Sequence, residues 1–256
     1  MKRLKRLVFL TPFAVATASS ADNGAITFAS SPEQTSLVEL YTSEGCSSCP
    51  PAENWLRGVS KSTRLWRDFV PVVFHVDYWD YLGWRDPWGD KANSERQRSY
   101  AALWASKSIY TPEFVINGRE WRGWPTSDGL PMAAANKVGI LKVSSRDTNE
   151  WKVTFTPAVP ANVRHEVHAA LLISGGSSRV RAGENRGREL RHDFVVKKLV
   201  SAALIQEENS ETGSFILAIE DSEPAGDRAL AVWVAQSGHL EALQTTGGPI
   251  TARLAK

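Results

Sequence analysis

The sequence predicts an α/β fold, a central sheet flanked by helices, followed by a C-terminal, mainly antiparallel and sandwich-like β region. Three observations carry this. Apolar strand-like runs alternate with helix-like stretches up to about residue 145. Beyond it, short strands separated by polar turns dominate. An apolar fraction of 42% over 256 residues also suffices for a sizeable core.

In order along the chain, "SLVELYT" reads as a buried strand and "EGCSSCPP" as a turn. "PAENWLRGVS" has helical character, and Pro50 suits a first helical turn, where its missing N–H costs nothing. "FVPVVFHVDYW" is a second strand and "KANSERQRSYAALWASKS" an amphipathic helix. "TPEFVING" is a third strand ending in an Asn117-Gly118 turn, with "REWRGW" as its hairpin partner. "DGLPMAAANKVGILK" reads as a helix capped by Asp128. From Trp151 onward, "WKVTFTP", "HEVHAALLIS", "HDFVVKKLVSAALI", "SFILAIE" and "RALAVWVAQ" read as strands. The expected division is a signal peptide over residues 1–21, a first domain over 36–145 and a β-rich domain over 146–256.

The leader combines a basic "MKRLKR", a short apolar "LVFLTPFAVATA" and small residues after it, the pattern of a secretory signal cut after Ala21 or Ala18. Its apolar run falls short of the ~20 residues a spanning helix needs, so no membrane span is expected after cleavage. Without Lys2, Arg3, Lys5 and Arg6 the balance is 26 basic to 28 acidic residues, with no basic tract to attract nucleic acid. The expected location is secreted or periplasmic. Nothing in the sequence sets an oligomeric state.

Cys46 and Cys49 are the only cysteines. An oxidising compartment lets a disulfide between them persist. A bridge closing so short a loop removes little unfolded-state entropy, so chemistry explains the pair better than stability does. A strand, then C-x-x-C, then a helix sets Cys46 at a helix N-terminus, where N–H groups and the helix dipole stabilise a thiolate. Cys49, one turn on, would resolve a mixed disulfide. Half of a zinc site is the competing reading. The other half is missing: no third cysteine exists, and His165 and His168 point to opposite faces of a strand.

In "SIYTPEFVING", Thr111-Pro112 with Phe114, Asn117 and Gly118 resembles the cis-proline loop of thioredoxin-like proteins. An ordinary trans proline opening an edge strand is the alternative. "VELYTSEGCSSCPPAENWL", "FHVDYWDYLGWRDPW", "SERQRSYA", "SIYTPEFVING" and "GENRGRELRHDFVV", spanning Leu37 to Val196, together resemble a family of secreted thioredoxin-like proteins catalogued as DUF1223. The resemblance implies a thioredoxin-like central sheet and a cis Thr111-Pro112 bond packed against the Cys46–Cys49 disulfide. It also implies that Tyr110, Thr111 and Pro112 position an extended substrate. The chain departs from ordinary thioredoxins at Gly45, where they carry tryptophan, and at Ser47-Ser48 between the cysteines. It offers no obvious buried aspartate, although Glu39 and Glu44 stand nearby in sequence.

In "FHVDYWDYLGWRDPWGD", Val72, Phe74 and Val76 face one side of a strand and His75 and Asp77 the other. His75 or Asp77 is expected to assist proton transfer at Cys49, while Tyr78, Trp79, Trp84 and Trp88 wall a substrate groove. The alternative is a satellite core with a hydrogen-bonded structural histidine. "GENRGRELRHDFVV" reads as a polar loop, either solvated or shaping the mouth of the site. The expected function is an exported thiol–disulfide oxidoreductase acting on protein thiols or disulfides. It needs no cofactor beyond the redox-active pair and no metal. The competing readings are Cu(I) binding by Cys46 and Cys49 and a non-catalytic binding module.

Overall fold

The computed structural model describes residues 25–126, 129–131, 135–160, 162–218 and 227–250. The expected signal peptide, residues 1–21, and the cap Asp128 lie outside them. The first part of the chain forms β1 (Ile26–Ala29), β2 (Ser36–Thr42), α1 (Cys49–Val59), β3 (Phe69–His75), α2 (Lys91–Leu103), β4 (Glu113–Ile116), β5 (Arg119–Trp121) and β6 (Gly139–Ser145). The rest forms β7 (Glu150–Pro157), β8 (His165–Ser174), β9 (Gly176–Arg179), β10 (Glu189–His192), β11 (Val195–Ala203), β12 (Ile205–Gln206), β13 (Glu211–Ile216), β14 (Asp227–Gln236) and β15 (Ala242–Pro249).

An eight-stranded sheet runs β15-β14-β8-β11-β3-β2-β4-β5. It is mixed: β2 and β3 are parallel, β11 meets β3 in parallel at Val195–Val73, and the other neighbours are antiparallel. A five-stranded antiparallel sheet, β1-β6-β7-β13-β12, lies against it. β9 and β10 make a separate hairpin.

This overturns the expected helix-flanked α/β fold. The protein is mostly β, with two α-helices among the described residues. The physical reason lies in β8 and β14. Ala229 to Ala235 of β14 are buried without a break. A strand covered on both faces belongs inside a layered sheet, not on a half-solvated sandwich. β8, β11 and β14 therefore extend the central sheet, which draws strands from both sides of residues 145 and 146. The helix expected over 128–142 is also corrected. Its C-terminal part is the start of β6, where burial alternates with period two and Leu141 and Val143 point inward. Residues 132–134 lie outside the description.

Both faces of the large sheet are used. Val38, Leu40 and Val73 pack on Ala52 and Leu56 of α1. Leu37, Tyr41, Val72 and Phe74 pack on the α2 side with Tyr100 and, further along the sheet, Trp233. Leu141, Trp151 and Phe155 of the smaller sheet cover Val167, Leu171, Leu230 and Val232. One charge is built into the α2 side. Glu39 accepts from Arg96 at 2.9 and 3.1 Å, from Tyr41 at 2.8 Å and from Tyr100 at 2.6 Å. The Arg96 guanidinium lies over Phe74, Tyr100 and Trp233. α2 itself starts where the Asp90 carboxylate accepts from Ala92 N–H. No described helix is long and apolar enough to cross a membrane.

Candidate functional site

The C-terminal ends of β2 and β3 define the site. β2 leads through Ser43, Glu44 and Gly45 to Cys46, whose N–H donates to the Ser43 carbonyl at 3.2 Å. Cys49 is the first residue of α1, so Cys46 sits in the turn before the helix. Pro50 lies in the first helical turn, where no N–H is needed. Ser48 is the N-cap residue, but its hydroxyl makes no cap bond; it lies 3.2 Å from Cys46 Sγ instead. Across the gap, Cys46 Sγ lies 3.7 Å from the Thr111 carbonyl, to which it donates while protonated, and the Thr111-Pro112 bond is cis. Both cysteines are free and buried.

The two thiols have opposite electrostatics. Cys46 is lowered from 9.0 to about 6, chiefly by a hydrogen bond from Cys49, helped by Ser48 and Thr111 and opposed by burial. Cys49 is pushed well up by burial and by its bond to Cys46. A buried thiol thus donates to a neighbouring thiolate, which divides the pair into a nucleophile and a reserve.

Trp79 spans the mouth. Its indole N–H donates to Thr111 Oγ1 at 2.8 Å, and its backbone side packs so tightly on residue 45 that a Cβ there would lie 2.7 Å from Trp79 Cβ. This explains Gly45: a tryptophan at that position would leave Trp79 no room. Tyr81 stacks outside Trp79 and is exposed. Beside Pro112 opens a groove of about 350 Å³ lined by Tyr110, Pro112, Trp121, Arg122 and Trp124. Glu113, the next residue, is buried and accepts from Gln97 Nε2 at 2.6 Å; burial pushes its carboxyl up to about 7. A larger hollow of about 1160 Å³ includes neither cysteine in its lining, so volume does not locate the site.

The remaining predicted residues lie elsewhere. Asp77 is held by Ser94 of α2, whose hydroxyl donates to it. Trp84 donates to Glu44 Oε2 at 2.6 Å, and Trp88 donates to Ser178 Oγ at 3.3 Å and packs on Gly176. Trp84 thus ties the loop to the turn after β2, and Trp88 ties it to the β9–β10 hairpin. His75 is fully buried, pairs through Nδ1 with Asp86 Oδ2 at 2.8 Å, and stands edge-on to His192 with ring centres 4.8 Å apart. It belongs to a layer behind the thiols.

That layer holds residues to which the sequence assigned no individual role, among them His192 in the polar loop read as solvated or as shaping the mouth. His192, at the end of β10, bridges two carboxylates: Nδ1 lies 2.7 Å from Glu53 Oε2 and Nε2 lies 2.9 Å from Glu44 Oε1. Burial opposes its charge, but the two glutamates raise it to about 10. Glu53, opposed by burial, is lowered by the same pair. Thr42 donates to Glu53 Oε1 at 2.7 Å and also reaches Cys49. The β9–β10 excursion adds Asn185, whose amide donates to the carbonyls of Glu44 at 2.9 Å and Cys46 at 2.8 Å, and Glu184, which accepts from Ser47 N–H at 2.8 Å. Two legible signals pointed here, the polar loop around Glu184 to His192 and the spacing of Glu53. Glu53 follows Cys49 by four residues, on the helix face that carries the thiol.

Fold and site together define a mixed-sheet β protein whose one strand–Cys-x-x-Cys–helix unit meets a cis-proline loop and a buried histidine–carboxylate layer. The chain belongs to the family described as "Protein of unknown function (DUF1223)", whose model matches residues 37–235. Among solved structures it is similar to protein AGR_C_4864 from Agrobacterium tumefaciens, at 22% identity, 88% of this chain, 97% of that one and a TM-score of 0.60. It is also similar to HBP35 of Porphyromonas gingivalis, at 13% identity, 86% of this chain, 76% of that one and a TM-score of 0.52. At these identities both likenesses concern the fold alone. None of the curated proteins compared with the chain matches it.

Proposed function

We propose that this chain is an exported thiol–disulfide oxidoreductase acting on protein thiols or disulfides. The observation that carries the reading is the polarised sulfur pair, a Cys46 lowered to about 6 against a Cys49 held neutral, beside the Thr111 carbonyl. In the reducing direction the Cys46 thiolate attacks a substrate disulfide. A Cys46–substrate bond forms and one substrate thiolate leaves. Cys49 then loses its proton and attacks Cys46 Sγ, closing the Cys46–Cys49 disulfide and releasing the second substrate thiolate. The reverse sequence oxidises a dithiol. Kinship with the thioredoxin-like superfamily is part of this proposal. It rests on the local unit of β2, the Cys-x-x-Cys turn, α1 and the Thr111-Pro112 loop, not on a helix-flanked fold.

Cys46 is only 1% exposed, so a partner reaches it when the Trp79–Thr111 contact opens. The Pro112 groove then offers Trp121 and Trp124 to an extended segment. Trapping tests the roles. Cys49→Ser should accumulate a mixed disulfide with a disulfide-bonded protein substrate, and Cys46→Ser should accumulate none. Equal trapping by both variants, or by neither, refutes the assignment.

A further inference from the structure

We infer that Glu53, His75 and His192 form a binding site for a divalent transition-metal ion of the zinc type, behind the thiols and separate from them. One ligand atom from each of the three lies within 4.8 Å of the others, and all three side chains are buried. Two imidazoles and a carboxylate are a donor set that suits zinc and its neighbours. Bonds of roughly 2.1 Å set tetrahedral ligands roughly 3.4 Å apart, so His75 must draw in and the closer His192–Glu53 pair must open slightly.

A second observation points to a ligand. His75 Nε2 is buried with no hydrogen-bond partner. Its other nitrogen faces the Asp86 carboxylate, which only accepts, so Nδ1 carries a proton and, in the neutral ring, Nε2 presents a lone pair. An unsatisfied buried acceptor is costly unless something occupies the space before it.

Each ligand also has an outer partner of the kind that orients metal ligands. Asp86 holds His75, Glu44 holds His192 through Nε2, and Thr42 holds Glu53 through Oε1. With Nε2 committed to Glu44, His192 keeps Nδ1 for the metal, the atom already against Glu53. Binding displaces the proton between Nδ1 and Glu53 to solvent and seats the ion in its place. Glu44, Glu53 and Asp86 are three carboxylates around two imidazoles, and a dication reduces that imbalance more than a proton does. A cavity of about 330 Å³ reaches Glu53 and His192 from outside, past Pro50, Asn54 and Leu190. Arg57, on its wall, is already paired with Asp193.

The test uses the full-length chain carrying Cys46→Ser and Cys49→Ser, so no thiolate competes for the probe. Titrated with Zn²⁺ against a chromophoric chelator, it takes up one equivalent. Adding Asp86→Asn weakens uptake about 10–100-fold, and adding His75→Gln weakens it by about 100-fold or more. ¹⁵N histidine spectra of the parent protein supply a readout independent of how the variants fold. Zn²⁺ moves the ring nitrogens of His75 and His192 and leaves those of His168 and His239 in place. No stoichiometric uptake, unchanged affinity in a folded His75→Gln protein, or shifts confined to other histidines overturns the site. The cysteine-free background keeps this outcome distinct from success or failure of the thiol chemistry.

Discussion

Replacing Cys49 with alanine removes the largest interaction that holds Cys46 as a thiolate. Lowering Cys46 from 9.0 to about 6 corresponds to about 4 kcal/mol of preference for the charged form. At pH 7 that means a population roughly 90% thiolate, where an ordinary cysteine at 9.0 would be roughly 1%. Without Cys49, Ser48 and Thr111 remain, while burial still opposes the charge. The midpoint should therefore rise by at least about one pH unit, about 1.4 kcal/mol. Thiolate absorbance at 240 nm suits the measurement because it needs no reagent to reach the buried sulfur. Reduced wild-type protein should titrate one thiolate with a midpoint near 6, and Cys46→Ser should lose that step. A wild-type midpoint above 8, or one that Cys49→Ala leaves in place, would refute the reasoning.

Three further outcomes follow from the same contacts. Trp79→Ala removes a hydrogen bond worth about 1 kcal/mol from the closed mouth, so iodoacetamide should alkylate Cys46 about fivefold faster, with the 240 nm midpoint unmoved. Slower or equal alkylation would mean that Trp79 does not gate access. Arg96→Met strands Glu39 in the core and should cost about 3–5 kcal/mol in urea unfolding, while Tyr100→Phe, which removes one bond to that carboxylate, should cost about 1.5–3 kcal/mol. An Arg96→Met protein as stable as wild type would refute the view that Arg96 is needed to hold Glu39 in the core. Glu113 keeps its proton up to about 7 when folded and releases it near 4.5 when unfolded. Over that window the native state holds more protons, so stability falls as pH rises, by about 3 kcal/mol. Glu113→Gln should flatten this part of the pH profile, and an unchanged slope would assign it to other groups.

How much of this was legible is best seen residue by residue. β2, β3 and α2 could be read because apolar runs and an amphipathic helical pattern are local signals. β8 and β14 could be read as strands, but continuous burial says nothing about which neighbour a strand chooses, and their choice decides the fold. β6 was hidden because its alternation begins only after Gly139, behind an alanine-rich stretch that mimics a helix. Cys46, Cys49 and Thr111 meet as their motifs implied. The Glu44–His192 bond spans 148 residues, and no spacing rule reaches that far. Trp84 and Trp88 share an aromatic run with Trp79, yet only Trp79 reaches the cis-proline loop; the other two serve Glu44 and Ser178.

The redox reading stands or falls on the equilibrium between Cys46 and Cys49 in a glutathione buffer, measured with insulin reduction on the same sample. The expected result is a reversible intramolecular disulfide with a potential of roughly −120 to −270 mV and measurable turnover. A pair that forms no disulfide, or one below roughly −300 mV with no turnover, contradicts it.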